Sequence, residues 1–271
     1  MRGALYTAIA VLVGLVPTVA EAATINGGFE DDFTGWQAVG DYRIETSTFG
    51  SRPIEGSSQA FLSTAFNEVL VPTQPPQGNA VPATFITGLS SSLEGFLGSS
   101  TFFGDRSLDS IATGQPFEGS AIQQTFTASA GDVVSFSWNF LTNESVEQAA
   151  RNDFTYPAFN DFAFATIQSD YSSEVFGLAD TVSTFSDSST PFFNETGTST
   201  FSYVIPSAGS YTLGIGVVDV GEPTRISGLL VDNVEAVPEA SSTLGTLGVL
   251  FVGGCWRLAL LRRQKIKKGG S

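Results

Sequence analysis

The 271-residue sequence contains no histidine and a single cysteine, Cys255. The missing histidine excludes a Ser-His-Asp triad and a Cys-His dyad, and it removes the commonest zinc ligand. The lone cysteine excludes a disulfide within the chain. The remaining routes to catalysis are a carboxylate pair, as in glycoside hydrolysis, or a metal centre. The acidic residues are scattered, and no pair of them stands out. We therefore predict a protein that is not an enzyme.

Lysine is absent from residues 23–236, where five arginines stand against 25 acidic residues. The formal charge of this segment is therefore −20, whereas the whole chain carries −15 because basic residues cluster at the C-terminus. A surface this acidic repels nucleic-acid phosphates and anionic membranes. We expect no nucleic-acid partner. The same charge favours solubility and the recruitment of divalent cations.

The first 22 residues have the order of a secretory signal peptide. Arg2 supplies a positive start, and the apolar run Ala4–Val16 is too short to span a membrane comfortably. Pro17 ends the run, and the small residues of Ala20-Glu21-Ala22 form a cleavage pattern. We predict a signal peptide over 1–22 with cleavage after Ala22. A buried N-terminal helix is the alternative.

The C-terminal segment 237–271 has three parts. Val237, Pro238 and Glu239 begin a short motif that continues to residue 241. Residues 244–261 are mostly apolar, and a helix of that length measures about 27 Å, close to a hydrocarbon core of about 30 Å. The positive-inside rule then predicts a cytoplasmic end. The stop-transfer residues are Arg262, Arg263, Lys265, Lys267 and Lys268. An ordinary membrane anchor is one interpretation of this segment.

The order of motif, single span and basic end over 237–268 resembles the PEP-CTERM sorting signal. The resemblance implies an exosortase-type processing enzyme, a precursor anchored in the inner membrane, and delivery to the cell surface or extracellular matrix. Exopolysaccharide is then an expected partner. Two positions depart from the pattern: Ala240 replaces the second proline, and Arg257 interrupts the span.

The segment 23–236 has the period-2 alternation of β-strands. Residues 121–127 alternate, and after the turn Ala130-Gly131-Asp132 the side chains of Val134, Phe136, Trp138 and Phe140 share one face. We interpret the two runs as a hairpin, with Trp138 in the core. Residues 161–167, 200–205, 211–217, 225–234 and 59–63 are further predicted strands, and 89–97 is a predicted short helix.

The alternating face of 211–217 is opposed by Gly214 and Gly216, which indicates a crowded or bent strand. Short strands at regular spacing with Gly and Pro turns predict an all-β fold, a single jelly-roll β-sandwich over 23–236. In addition, Asn26–Trp36 followed by Glu55–Ala60 resembles the opening of galactose-binding-like jelly rolls, which include many carbohydrate-binding modules.

That resemblance implies a structural calcium ion where the first and last strands meet, with Glu30 and Asp232 as ligands. Calcium takes six to eight oxygen ligands, so a carbonyl-rich Asn26-Gly27-Gly28 turn suits it. The alternative is that both carboxylates are ordinary surface or turn residues.

Sugar sites stack an exposed aromatic ring on the sugar. Trp36, Tyr42, Tyr156 and Phe159 fall in loop-like segments and are the predicted glycan-binding residues. The sequence as a whole predicts an exported, non-catalytic structural or adhesive protein that binds glycans. The alternative is a carbohydrate-active hydrolase that uses a carboxylate pair.

Overall fold

The computed structural model describes residues 24–65, 80–82, 92–98, 108–111, 114, 116–144, 159–221 and 225–238. The predicted signal peptide, the tail from Glu239 onwards and Tyr156 lie outside these residues. The described strands belong to one compact unit that ends at Val237. Within the described part of the chain, no helix has the length and apolar character needed to cross a membrane.

Almost all of the regular structure in these residues is β. One helical turn, α1, covers Leu93–Phe96, and 3₁₀ turns cover Ser47–Phe49 and Leu108–Ser110. The strands are β1 (Gln37–Val39), β2 (Asp41–Thr46), β3 (Ser58–Ser63), β4 (Val81–Pro82), β5 (Pro116–Ala128), β6 (Val133–Thr142), β7 (Phe162–Ser169), β8 (Ser173–Asp180), β9 (Ser186–Asp187), β10 (Asn194–Glu195), β11 (Ser199–Val204), β12 (Gly209–Val220) and β13 (Ser227–Val237).

The strands form two antiparallel sheets. Sheet A has the order β1-β5-β12-β7-β8, with β4 added on β5, and sheet B has the order β2-β3-β13-β6-β10-β9, with β11 also on β6. Four of the strand pairs are nested along the chain: β3 with β13, β5 with β12, β6 with β11, and β7 with β8. These are the pairs of one long ribbon rolled up on itself, the jelly-roll topology that the sequence predicts.

The predicted hairpin of β5 and β6 is wrong. Strand β5 lies in sheet A and β6 in sheet B, and the turn between them crosses from one sheet to the other. Asp132 stabilises this crossing because its Oδ2 accepts from the N–H of Ser129 at 2.7 Å and its carbonyl from the N–H of Ile205 at 2.8 Å. Both strands direct their apolar faces into the same core. Alternation alone therefore does not show whether two strands are neighbours in one sheet or lie in opposite sheets.

The main core fills the space between the sheets. The predicted face of β12 is buried, with Tyr211 at 2% and Leu213, Ile215 and Val217 at 0% exposure. It meets β6 residues such as Phe136, and Trp138 packs half-buried against this core. The burial of every second residue on this face matches the period-2 pattern on which the prediction was based.

The outer face of sheet A carries a second apolar cluster, in which α1 covers β12 and β7. Leu93 and Leu97 pack with Phe162, Phe164 and Val218. A Cβ on Gly216 would lie 2.5 Å from Phe164 Cζ, so the glycine makes room for the ring. This close approach confirms the predicted crowding of β12. The described part of the predicted 89–97 helix is the single turn α1.

Candidate functional site

The N-terminal loop is organised around Asn26, whose side chain contacts the loop's own backbone. Asn26 Nδ2 donates to the carbonyl of Asp32 at 2.8 Å, and Asn26 Oδ1 accepts from the N–H of Asp31 at 3.1 Å. Trp36 closes the loop, because its Nε1 donates to the carbonyl of Asn26 at 3.2 Å and its ring lies 5.2 Å from that of Phe29. Trp36 is only 8% exposed, so its ring packs in the core.

Of the other described aromatic candidates, Tyr42 packs against the core, and Phe159 is held through its backbone. Tyr42 is half-buried and meets the ring of Phe33 edge-on, with centroids 5.0 Å apart, at the margin of the main core. Phe159 is half-buried, and its carbonyl accepts from Thr181 Oγ1 at 3.0 Å. The structure does not bring Trp36, Tyr42 and Phe159 together into a binding platform.

Glu30 and Asp232 contact the same loop, residues 51–57, which leads into β3. Glu30 Oε1 accepts from the N–H groups of Ser57 at 2.6 Å and Ser58 at 2.7 Å, and Oε2 accepts from Ser57 Oγ at 2.9 Å. The hydrogen bonds from Ser57 and Ser58 hold the pKa of this exposed carboxyl below its usual value. Glu30 therefore anchors the C-terminal end of the loop as a hydrogen-bond acceptor.

Asp232 anchors the middle of the loop. Its Oδ2 accepts from the N–H groups of Ile54 at 2.6 Å and Glu55 at 2.9 Å, and Oδ1 accepts from the N–H of Asn233 at 2.7 Å. Asp232 is 2% exposed. Burial raises its pKa, and the negative charge of Glu55 adds to this, although the three N–H donors act in the opposite direction.

These contacts bear on the expected calcium ion. A Ca²⁺ ligand presents its oxygens to the cation, but here the oxygens of Glu30 and Asp232 already face backbone N–H groups. Among the described residues, no group of three or more acidic or cysteine side chains is placed to hold a metal ion. The arrangement fits a hydrogen-bonded clamp on the 51–57 loop better than it fits a calcium cage. Calcium binding stays a prediction.

Strand alternation gives the outer face of sheet B a polar row beside this loop. Phe136 and Phe140 of β6 point into the main core, so the intervening Ser137 and Asn139 point outward. Register places Ser137 between Asp232 of β13 and Thr200 of β11. Side chains from three neighbouring strands therefore meet at one place on the surface.

A shallow depression, hereafter the pocket, lies at this row, with room inside for about one water molecule; the surrounding 210 Å³ includes open solvent. The 51–57 loop forms one wall, and strands β3, β13 and β6 form the floor. The lining residues are Ser51, Arg52, Ile54, Gln59, Ser137, Trp138, Asn139, Thr198, Leu230, Val231 and Asp232.

Two polar side chains of the pocket make no hydrogen bond or ion pair with the described residues. Ser137 is 7% exposed, and within the described residues no hydrogen bond involves its hydroxyl. Arg52 is exposed, and its guanidinium makes no ion pair or hydrogen bond with any described residue. In contrast, Asn139 donates to Glu195 Oε2 at 2.7 Å and Gln59 to the carbonyl of Ser51 at 2.9 Å. The pocket therefore combines fixed walls with unused donors.

The sequence reasoning missed this pocket. The alternation of Ser135, Ser137 and Asn139 opposite an apolar face was a visible signal that these side chains face outward. Nothing in the linear sequence shows that Arg52 and Asp232 lie beside them, because the three segments are joined only through sheet pairing and the loop clamp.

No family model matches the chain, and no curated protein matches it. Several solved structures match it. TmCBM61, solved in complex with β-1,4-galactotriose, matches with 10% identity and a TM-score of 0.40, over 80% of this chain and 99% of that one. CBM28, a carbohydrate-binding module specific for non-crystalline cellulose, matches with 11% identity and a TM-score of 0.35, over 80% and 95%. The enzymatically active domain of a bacteriophage CBA120 tailspike protein matches with 10% identity and a TM-score of 0.36, over 79% and 21%.

At these TM-scores, neither ligand nor activity is transferred from the neighbours. The protein itself is an all-β jelly-roll sandwich with a shallow, partly polar pocket on one outer face.

Proposed function

We propose that the chain is an exported, non-catalytic β-sandwich that binds a glycan on the outer face of sheet B, across the mouth of the shallow pocket. In this role it contributes structure or adhesion at the cell surface or in the extracellular matrix. The observation that supports this most directly is the Ser137 hydroxyl, which faces the pocket and has no partner among the described residues.

The mixed character of the lining suits a sugar. A sugar ring presents hydroxyls on its edges and C–H groups on its faces, so it needs both hydrogen-bonding groups and apolar contact. Ser137 and Arg52 supply unused donors. Ile54, 54% exposed on the loop, supplies an apolar surface at the mouth.

The pocket favours binding over hydrolysis. Glycoside hydrolysis by the usual route needs two carboxyl groups across the scissile bond. The described lining contributes one, Asp232, and its oxygens already accept from three N–H groups. Release of reducing ends from any glycan that binds would favour the hydrolase instead.

Export and sorting form the second part of the proposal. The pattern of residues 1–22 supports secretion, and the motif, span and basic end of 237–271 support processing by an exosortase-type enzyme. We expect a precursor in the inner membrane and a shortened form at the surface. Fractionation with mass spectrometry of both termini tests this. A single form that keeps residues 237–271 would contradict processing.

A matched pair of variants tests glycan binding. Ser137→Tyr fills the pocket floor, and Ser135→Tyr places the same side chain on the same face of β6, outside the pocket lining. We expect glycan-array binding and calorimetric affinity to be lost in Ser137→Tyr and kept in Ser135→Tyr, with both variants unfolding cooperatively. Equal affinity in both variants would place the glycan elsewhere, and no binding to any glycan by the unchanged protein would refute the proposal.

A further inference from the structure

Strand β11 lies at one margin of sheet B and is paired on one side only. It pairs with β6 in regular antiparallel register, from Ser199 opposite Trp138 to Val204 opposite Val133. None of the strands in the described part of the chain pairs with its other side. A free strand edge of this kind presents backbone N–H and C=O groups to which a further strand can add.

The hydrogen bonds to β6 show which backbone groups point outward. The N–H of Ile205 donates to the carbonyl of Asp132 at 2.8 Å, so residue 205 faces β6. In an antiparallel pair, every second residue directs both of its backbone groups to the partner strand. The N–H and C=O groups of Thr200, Ser202 and Val204 therefore point away from β6, along the free edge. All three residues are exposed.

The opposite face of β11 is fixed against the sandwich. The ring of Phe201 lies 5.0 Å from that of Phe136 and 5.4 Å from that of Phe176. Tyr203 donates from its hydroxyl to Glu174 Oε1 at 2.9 Å. These contacts hold the strand in the extended shape that a pairing strand needs. Addition of a partner therefore requires little further ordering of β11.

The other long edges of the two sheets are protected against strand addition. Strand β2, at the far edge of sheet B, carries Asp41, Arg43 and Glu45. Strand β8, at the edge of sheet A, carries Glu174 and Asp180, and its pairing with β7 contains a register shift. The remaining edge strands β1, β4 and β9 have only two or three residues. Charge, irregular pairing and shortness are common protections of edge strands, and β11 has none of them.

The charge distribution points to the occupant of this edge. Residues 196–218 contain no Asp, Glu, Lys or Arg, although the segment 23–236 as a whole carries −20. Two copies of β11 can therefore meet without placing like charges opposite each other. A basic strand of another protein would find no carboxylate on β11 to pair with. Charges more distant than the Debye length, about 8 Å at physiological ionic strength, are largely screened.

We propose that β11 is a self-association edge, at which two copies of this chain pair β11 with β11 in antiparallel orientation. The outward groups place the two-fold axis at Ser202, which faces Ser202 of the partner subunit, while Thr200 faces Val204 of the partner subunit. These three pairs form about six hydrogen bonds, and sheet B continues from one copy into the next. The inference goes beyond glycan binding and does not depend on it.

Sedimentation of the complete chain in mild detergent, over a series of concentrations, measures the association. We expect a reversible dimer with a dissociation constant in the micromolar range, because the paired edge is short. We also expect the dimer to tighten as salt is raised, because salt screens the repulsion between two acidic copies. A chain that stays monomeric throughout the series would overturn the inference, and this outcome includes an edge that pairs only with a different protein.

A matched pair of variants locates the interface. Ser202→Glu places two carboxylates opposite each other at the axis, where facing Cα atoms lie about 5.5 Å apart. Ser210→Glu places the same charge on an exposed serine of β12, within the same uncharged stretch. We expect the dissociation constant to rise about tenfold or more in the first variant and by less than about twofold in the second. Both variants keep residues 237–271, so equal affinity would assign the association to another surface and overturn the edge.

Cross-linking tests the register. In a Cys255→Ser background, Ser202→Cys places one thiol of each copy at the axis, and Ser210→Cys is the control. We expect mild oxidation to give a covalent dimer with Ser202→Cys and not with Ser210→Cys, because the Cα separation of about 5.5 Å lies within the range of a disulfide. Equal covalent dimer from both variants would show random collision and overturn the proposed pairing.

Discussion

Glu30 and Asp232 hold the middle and the C-terminal end of one loop, although 201 positions lie between them in the sequence. Asp232 accepts from the N–H groups at residues 54 and 55, and Glu30 accepts from those at 57 and 58. The loop they hold forms a wall of the pocket. The two residues that the resemblance implies as metal ligands thus hold a wall of the pocket in place.

Removal of one side of this clamp should destabilise the fold. Asp232→Ala leaves the N–H groups of Ile54 and Glu55 without their acceptor, so we expect the free energy of unfolding to fall by about 3 kcal/mol. Asp187→Ala, at an exposed position of β9, should change it by less than about 0.5 kcal/mol. Denaturant titration measures both. If Asp232→Ala changed the free energy of unfolding as little as Asp187→Ala does, the stabilising role of the clamp would be contradicted.

Calcium gives a second test of the same residues. The calcium site that the resemblance implies predicts a higher melting temperature in excess calcium than in chelator, whereas a clamp whose oxygens only face N–H donors predicts the same melting temperature in both. Calorimetric scans of the unchanged protein and of Glu30→Gln measure this. A rise in melting temperature with calcium that disappears in Glu30→Gln would support the calcium site expected from the resemblance.

Glu118 should make stability depend on pH. It is 2% exposed, its Oε1 has no hydrogen-bond partner among the described residues, and burial raises its pKa from 4.5 to about 7. Between these two values the folded state binds more protons than the unfolded state. The free energy of unfolding therefore falls as pH rises through this window, by up to about 3 kcal/mol, and the stability is complete only below the unfolded pKa.

The variant Glu118→Gln isolates this contribution, because glutamine has nearly the same shape and stays neutral. We expect the free energy of unfolding of the variant to rise relative to that of the unchanged protein as pH rises from 4.5 to about 7. Above about pH 7 the difference between the two proteins should stay constant. Denaturant titrations across the pH range give the difference. A constant difference between the two proteins would show that Glu118 titrates normally.

The close approach on the outer face of β12 predicts a glycine that tolerates no side chain. In Gly216→Ala the new Cβ meets the Phe164 ring at 2.5 Å and the carbonyl of Ser120 at 2.7 Å, so we expect a loss of about 2–3 kcal/mol. Gly209→Ala, on the same strand, meets its nearest atom at 3.9 Å and should be nearly neutral. Thermal unfolding measures the contrast, and similar melting temperatures would mean that the ring moves aside at little cost.

Alternation of apolar side chains was enough to predict strands β5, β6, β7, β11, β12 and β13 and the burial of the face that contains Tyr211 and Leu213. The reason is local. A strand that packs on a core needs an apolar face, and every second residue of the strand lies on that face. The two glycines opposite that face also signalled the crowding that Phe164 produces. The sequence by itself therefore determined the β class and much of the core.

Tertiary structure alone decided which strands are neighbours and where the site lies. Strands β5 and β6 enter different sheets, because in a rolled ribbon each pairs with a strand far along the chain, β12 and β11 respectively. For the same reason the pocket combines Arg52, Ser137 and Asp232, which no local pattern relates. Local periodicity shows which side of a strand is buried, but it does not show which strand lies beside it. A pocket formed by several strands depends on which strands are neighbours.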